Sequence, residues 1–194
     1  MDRLSIEDEA TYYAGAIYPD SRYMTKINRN FTHAGISPQD PFVAGLSDFE
    51  KGWATHLLYD HHAHPLYVQL SPWHDEKVQQ GNHVWQFISA AKVVEDMQSY
   101  HAMDGEVEMI LGIDFLQRPN DEDPLVMQAY AQIQKTLYQQ PPTMDHYRDF
   151  WVTLSSNVEV IDGVMKHVKE MLNNDDLQER IRHVYGSVLG ELGS

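Results

Sequence analysis

Cysteine is absent from the 194-residue chain. This absence excludes disulfide bonds, thiolate zinc sites and thiol nucleophiles, so any metal ion must be held by imidazole and carboxylate groups. Basic residues are also few, because 14 Lys and Arg stand against 29 Asp and Glu, which gives a net charge of -15. A chain this acidic repels phosphate backbones, so we do not expect nucleic acid as an electrostatic partner.

No apolar run in the chain is long enough to span a bilayer. The first ten residues, MDRLSIEDEA, are acidic and polar, unlike a signal peptide, and we therefore expect a cytoplasmic protein. The alternation of apolar and polar residues that marks a half-buried strand is nearly absent. The hydrophobic fraction of 42% is typical of a folded protein. The length predicts a single domain over 1–194.

Apolar residues recur at helical spacing along most of the chain, which predicts an all-α bundle of roughly six or seven helices. The first predicted helix covers 7–16, and a loop-rich stretch at 21–44 follows it. The second helix is capped by Ser47 or Asp48 and stopped by Pro65, because proline has no N–H and clashes with the preceding turn. Further helices are predicted at 83–103, 105–116, 123–139, 144–172 and 176–190.

Histidine is the unusual component, with 11 residues, four of which fall between positions 56 and 64. His56 and Asp60 are four residues apart, so on a helix their side chains project from one face, about one turn apart. His64 continues the same stripe. An imidazole and a carboxylate at this spacing can bind one cation. Asp20, after a helix-ending proline, and His33, in the polar loop, are further candidate ligands.

The four candidates Asp20, His33, His56 and Asp60 form a set of two imidazoles and two carboxylates. This set suits zinc, with iron and manganese as alternatives. Each residue also has an ordinary interpretation without a metal. His56 and Asp60 would be an ion pair on a helix, Asp20 a turn residue or cap, and His33 a surface loop histidine.

Two segments resemble motifs of the zinc-dependent phospholipase C superfamily, which also includes single-strand-specific fungal nucleases. The segment AGAIYPD at 14–20 is similar to the GAIxPD element of that family, and GWATHLLYD at 52–60 is similar to its GxxxHxxxD helix. His33 lies between the two motifs. The resemblance covers roughly residues 12–65, about a third of the chain.

The resemblance implies an all-α, phospholipase C-like fold and zinc-assisted hydrolysis of a phosphate ester. Asp20, His33, His56 and Asp60 match the side chains of one zinc site of the family, and His64 is similar to a ligand of a second site. One zinc ion is therefore expected, and a second ion would involve His64. Asp20 would also orient or deprotonate water, which makes it the expected catalytic residue. The expected substrate is a small molecule whose identity the resemblance does not give. A lipid head group, a nucleotide and a small phosphate ester are all compatible with it.

The chain departs from the family pattern at the third zinc ion. The family's mature enzymes begin with a Trp whose terminal amine binds metal together with a nearby His. Here Met1 begins the chain and no His precedes His33. The resemblance therefore does not imply a third zinc ion.

Two other functions are compatible with the sequence. An HD-type phosphohydrolase is also all-α and would use His56, the His74-Asp75 pair, and Asp96 or Asp104. Alternatively, the protein is not an enzyme, and a structural metal ion locks the loop at 20–33 onto the helix at 46–64.

Overall fold

The computed structural model describes residues 4–33, 40–73, 82–100, 106–154 and 157–192. Within these ranges every regular element is a helix and no strand is present, which confirms the predicted all-α fold class. No helix in the same ranges is both long and apolar enough to cross a membrane. The elements in chain order are α1 (Glu9–Ile17), a 3-10 helix (Tyr18–Ser21), α2 (Arg22–Thr25), α3 (Arg29–His33), α4 (Asp48–Leu70), α5 (Asn82–Ser99), α6 (Glu106–Leu111), α7 (Pro124–Tyr138), α8 (Met144–Leu154), α9 (Val158–Leu172) and α10 (Asp175–Leu192).

The chain divides into two compact units. The first unit consists of Asp2–Asp60 and Asp104–Gln140, and the second consists of His61–Met103 and Pro141–Ser194. The first unit contains α1 to α3, α6 and α7, whereas the second contains α5 and α8 to α10. Helix α4 begins in the first unit and ends in the second. The single domain over 1–194 stays a prediction.

Helices α1 and α4 approach each other closely in the first unit because a glycine stands at each contact. A Cβ atom at Gly15 would meet the carbonyl oxygen of Phe49 at 1.9 Å, and one at Gly52 would meet the carbonyl oxygen of Tyr12 at 1.9 Å. Any larger residue at either position would push the two backbones apart. The two glycines therefore set the distance between α1 and α4.

The start of α4 is held by side-chain hydrogen bonds. The backbone N–H of Glu50 donates to the Ser47 hydroxyl at 3.3 Å, and the N–H of Ser47 donates to the Glu50 carboxylate at 2.9 Å. This reciprocal pair is a capping box, so Ser47 is the cap of the two residues predicted. The Asp48 carboxylate accepts hydrogen bonds from the N–H groups of Glu7 and Asp8 at 3.0 and 2.8 Å, which ties the start of α1 to α4.

The predicted stop at Pro65 is wrong, because α4 continues through this proline to Leu70. A proline inside a helix removes one backbone hydrogen bond and leaves a carbonyl four residues earlier without its donor. Pro65 is exposed, and so is His61, whose carbonyl loses the donor, so water can replace the missing bond. The fully buried side chains of Ala63 and Tyr67 hold the helix on both sides of the proline.

The second unit is built around α5, which packs against α9 and α10. The apolar side chains that recur at helical spacing along α5 are buried at Val84, Phe87, Ile88, Ala91 and Val94, whereas Met97 is half-buried. The single helix predicted over 144–172 is wrong, because the structure has α8 and α9 there. Asn157 caps α9, accepting a hydrogen bond from the N–H of Val160 at 3.2 Å, and this cap separates the two helices.

Candidate metal centre

Asp20 lies in the short 3-10 helix that follows α1. Two buried tyrosines hold this segment. The Tyr130 hydroxyl donates a hydrogen bond to the carbonyl of Ile17 at 3.0 Å, and the ring of Tyr18 packs edge-on against Trp53 with centroids 4.8 Å apart. The Asp20 carboxylate itself is 44% exposed. The backbone around Asp20 is therefore fixed while its carboxylate stays open to solvent.

His33 is the last residue of α3, within the stretch predicted to be loop-rich. The Asn28 side chain accepts a hydrogen bond from the N–H of Asn30 at 2.9 Å and so helps to start this helix. At the other end, the indole N–H of Trp53 donates to the carbonyl of Thr32 at 2.7 Å. This bond ties α3 to α4 next to His33, whose side chain is only 4% exposed.

His56 lies on α4, opposite the end of α1. Its Nδ1 atom is 2.8 Å from the carbonyl oxygen of Ala16. A carbonyl can only accept, so the proton of the neutral ring is assigned to Nδ1 and the lone pair to Nε2. The Nε2 atom is buried and has no hydrogen-bond partner among the described residues. The close approach of α1 and α4 is what brings the Ala16 carbonyl within reach of this ring.

The ring of His33 has the same arrangement. Its Nδ1 atom is 2.8 Å from the Thr32 hydroxyl oxygen, and that hydroxyl donates its own proton to the carbonyl of Arg29 at 3.3 Å. With the hydroxyl proton assigned to the Arg29 carbonyl, the hydroxyl oxygen accepts from Nδ1, and the lone pair of His33 is assigned to Nε2. Both histidines thus have the tautomer in which Nε2 can bind a metal ion, oriented by an acceptor at Nδ1.

The three side chains converge. Asp20, His33 and His56 each offer one ligand atom, and these three atoms all lie within 4.8 Å of one another. The Asp20 Oδ1 to His33 Nε2 distance is 3.9 Å, whereas ligands of a tetrahedral zinc ion lie about 3.3 Å apart. Rotation of the exposed Asp20 carboxylate can shorten its distance to His33 Nε2 by this difference. Within the described ranges, no other group of three such residues comes this close together.

The other two predicted ligands lie outside this group of three. The Asp60 carboxylate is 3.6 Å from His56 Nε2, one turn further along α4, and its side chain is 24% exposed. It is the neighbour from which a fourth ligand could come. His64 is exposed and belongs to the part of α4 in the second unit.

The residues of the HD-type alternative are mostly not described. His74, Asp75 and Asp104 lie outside the described residues. Asp96 is in the second unit, where its carboxylate accepts a hydrogen bond from the Tyr147 hydroxyl. The HD-type arrangement stays a prediction.

The electrostatics of the centre favour neutral histidine. Burial, together with the charges of His56, Arg29 and Arg22, lowers the pKa of His33 to about 4, while the charge of Asp20 opposes this shift. At neutral pH the ring is therefore unprotonated without any metal. An unprotonated imidazole is the form that binds a metal ion, so no proton has to be displaced from His33.

Several residues that build the centre carry no signal of their own in the sequence. Thr32, Ala16 and Trp53 act through backbone carbonyls, a hydroxyl and an indole N–H, and each is an ordinary residue at its position. Gly15 and Gly52 do carry a signal, because an isolated glycine in a helical pattern often marks a close backbone approach. Their role in orienting His56 depends on the crossing of α1 and α4.

Comparison with known proteins finds no family model, no curated protein and no solved structure that matches the chain. The candidate centre therefore stands on its own geometry. The resemblance of 14–20 and 52–60 to family motifs stays a prediction from the sequence.

Proposed function

We propose that this protein is a zinc-dependent hydrolase of phosphate esters, related to the zinc-dependent phospholipase C superfamily. Asp20, His33 and His56 would hold the ion, with Asp60 beside them. The observation that carries the proposal is the convergence of the three ligand atoms within 4.8 Å of one another. The two motifs in the sequence provide the link to the family.

The donor set fits a metal ion on independent grounds. A buried polar atom without a hydrogen-bond partner costs about 1–3 kcal/mol, and His56 Nε2 is such an atom among the described residues. A cation coordinated by its lone pair would remove this cost. Two imidazoles with one or two carboxylates suit zinc, and iron and manganese are the alternatives.

The protein side chains around the centre have separate roles. His33 and His56, with side chains 4% and 16% exposed, form the buried wall of the centre. Asp20 is 44% exposed, so substrate and water reach the centre from its side. Its carboxylate is the group that accepts a proton from the attacking water. Zinc, when bound, supplies Lewis acidity that activates water at neutral pH and neutralises charge on a phosphoryl oxygen.

Hydrolysis of 4-nitrophenyl phosphate and bis(4-nitrophenyl) phosphate by the purified full chain, with and without added zinc, tests the proposal. We expect zinc-dependent release of nitrophenol, lowered about 100-fold or more in Asp20→Asn, because a general base contributes that much. Asp162→Asn is the matched control, since Asp162 is an exposed partner of Arg148 in the second unit.

Two outcomes would contradict the hydrolase. If zinc binds in the wild type but neither ester is hydrolysed, the non-catalytic alternative with a structural metal ion replaces it. If zinc is retained in Asp20→Asn but lost in Asp75→Asn, the HD-type arrangement replaces it.

A further inference from the structure

Two arginines accompany the candidate metal centre in a chain that has few basic residues. Arg22 follows Asp20 by two residues. Its Nη2 atom donates a hydrogen bond to the Tyr23 hydroxyl at 2.6 Å, and its guanidinium lies 4.1 Å from the centroid of the Tyr23 ring. Arg29 begins α3 and precedes His33 by one helical turn, so the two side chains share a face of that helix.

Among the described residues, neither arginine has a carboxylate partner. Neither the Arg22 nor the Arg29 guanidinium forms an ion pair within those ranges, and the buried Nε atom of Arg22 has no hydrogen-bond partner there. Arginines elsewhere in the chain do form such pairs, for example Arg148 with Asp162 and Arg180 with Asp176. Guanidinium groups that have no carboxylate partner in the described part of the chain, whose net charge is -15, are candidates for binding an anion from solution.

The charges of Asp20, Arg22 and Arg29 all shift the pKa values of Tyr23 and His33. Burial and the negative charge of Asp20 raise the pKa of Tyr23 to about 12, while the charges of Arg22 and Arg29 oppose this shift. The two arginines also act on His33. Asp20, Arg22 and Arg29 are therefore within electrostatic reach of the same groups.

The formal charges indicate which anion fits. Asp20 and Asp60 would balance the two positive charges of one zinc ion, and neutral His33 and His56 add none. The metal ion and its ligands would then be neutral in sum, and the guanidinium groups of Arg22 and Arg29 would add two positive charges that nothing in this sum balances. A phosphate monoester carries about -1.5 to -2 at neutral pH, which matches this remainder better than the single charge of a diester.

We propose that Arg22 and Arg29 bind the phosphoryl oxygens of the substrate, and that this substrate is a phosphate monoester. The inference rests on the proposed function of the metal centre. Arginine is suited to this role because its planar fork can donate two parallel hydrogen bonds to one phosphate group.

Calorimetric titration with inorganic phosphate tests the arginine pair in the full chain, both with zinc and without it. We expect phosphate to bind about 10-fold more weakly to Arg22→Gln and to Arg29→Gln than to the wild type, because each change removes charged hydrogen bonds. Arg180→Gln removes the same charge from an exposed pair in the second unit and is the matched control. Arg29 is exposed, so Arg29→Gln decides the question if Arg22→Gln does not fold.

Dimethyl phosphate, which carries one negative charge, tests the monoester assignment. We expect it to bind the wild type more weakly than inorganic phosphate does. Equal or tighter binding would overturn the assignment. Phosphate affinities of Arg29→Gln and Arg22→Gln equal to that of Arg180→Gln, or no phosphate binding with or without zinc, would overturn the arginine site. The zinc content of the same samples judges the metal centre separately.

Discussion

His56 in the first unit and His167 in the second unit are alike at the level of single residues. Each lies on a helix, each side chain is 16% exposed, and each has a carboxylate at ion-pair distance one turn away. His56 Nε2 is 3.6 Å from Asp60, and His167 Nδ1 is 2.9 Å from Glu170. A histidine and a carboxylate one turn apart therefore do not distinguish a metal centre from an ordinary ion pair.

The two histidines differ in what their ring nitrogens do. His167 uses Nδ1 for the Glu170 carboxylate, and its ring packs against Trp73 and Phe87 with centroids 5.8 and 5.9 Å away. His56 uses Nδ1 for a backbone carbonyl, and Nε2 remains for the group that includes His33. Both rings therefore have an acceptor at Nδ1, and His56 differs in that Asp20 and His33 each bring a ligand atom within 4.8 Å of its own.

Loss of the His56 imidazole should have a stronger effect on zinc binding than any other change considered below. His56→Ala removes one of three ligands, and we expect zinc binding to weaken by more than about 100-fold, because even loss of a supporting hydrogen bond costs 10-fold to 100-fold. His167→Ala should leave zinc binding unchanged. Competition titration with a zinc-binding dye measures both. Equal zinc affinities in the two variants would place the ion elsewhere.

The second prediction concerns the helix contact that orients His56. Gly52→Ala places a Cβ atom 1.9 Å from the Tyr12 carbonyl oxygen. We expect a loss of about 1–3 kcal/mol in the free energy of unfolding, measured by urea denaturation without zinc. Zinc affinity should also fall about 10-fold, because the hydrogen bond to Nδ1 is disturbed.

Gly186→Ala is the control for this change. Gly186 is a glycine of α10, and a Cβ atom added there would meet no atom from outside its own stretch of helix within 4 Å, so alanine should stabilise the helix by about 0.5–1 kcal/mol. If Gly52→Ala were as stable as the wild type, the packing of α1 against α4 would not depend on a glycine at this position.

The residues of the candidate centre could be predicted because they lie in or between short motifs, within which the spacing along the chain fixes which side chains are near each other. Asp20 follows a proline, His56 and Asp60 share a helical face, and His33 lies between the two motifs. That Arg22 has no carboxylate partner among the described residues could not be predicted, since it depends on which carboxylates tertiary packing brings near. The pattern of single residues cannot report such long-range contacts.

The fold shows the same division. Helical periodicity is sufficient to predict the all-α class, because it is a local property. The continuation of α4 through Pro65 could not be predicted, since burial of Ala63 and Tyr67 outweighs the local penalty of proline. The break between α8 and α9 has a local cause, because Asn157 is a cap signal that the apolar pattern obscures.

A third prediction uses pH to sharpen the contrast. The pKa of His33 is lowered to about 4, whereas an unfolded histidine has a pKa of about 6.5. Between these values the unfolded chain binds a proton that the folded chain does not. His33 therefore contributes a loss of stability as the pH falls through this window, at a rate of at most about 1.4 kcal/mol per pH unit.

Urea denaturation of the zinc-free protein across this window measures the effect. His33→Gln has no titrating imidazole, so the stability difference between wild type and variant should be constant above the window and change within it. His167→Gln is the matched control for the loss of a histidine side chain from a helix. Parallel curves for wild type and His33→Gln would contradict the buried, neutral His33.

The smallest expected effect is at His64. This residue is exposed and outside the group of three, so His64→Ala should leave the amount of zinc bound per chain unchanged in elemental analysis. A drop in bound zinc would instead indicate that His64 binds a second ion, as its similarity to a ligand of the family's second site suggests.

Crystals of the zinc-loaded protein, measured on both sides of the zinc absorption edge, would locate the ion itself. We predict an anomalous peak bounded by Asp20 and the Nε2 atoms of His33 and His56, at about 2.0–2.1 Å from each nitrogen. A peak bound only by other residues, or no peak between these three side chains, would contradict the account.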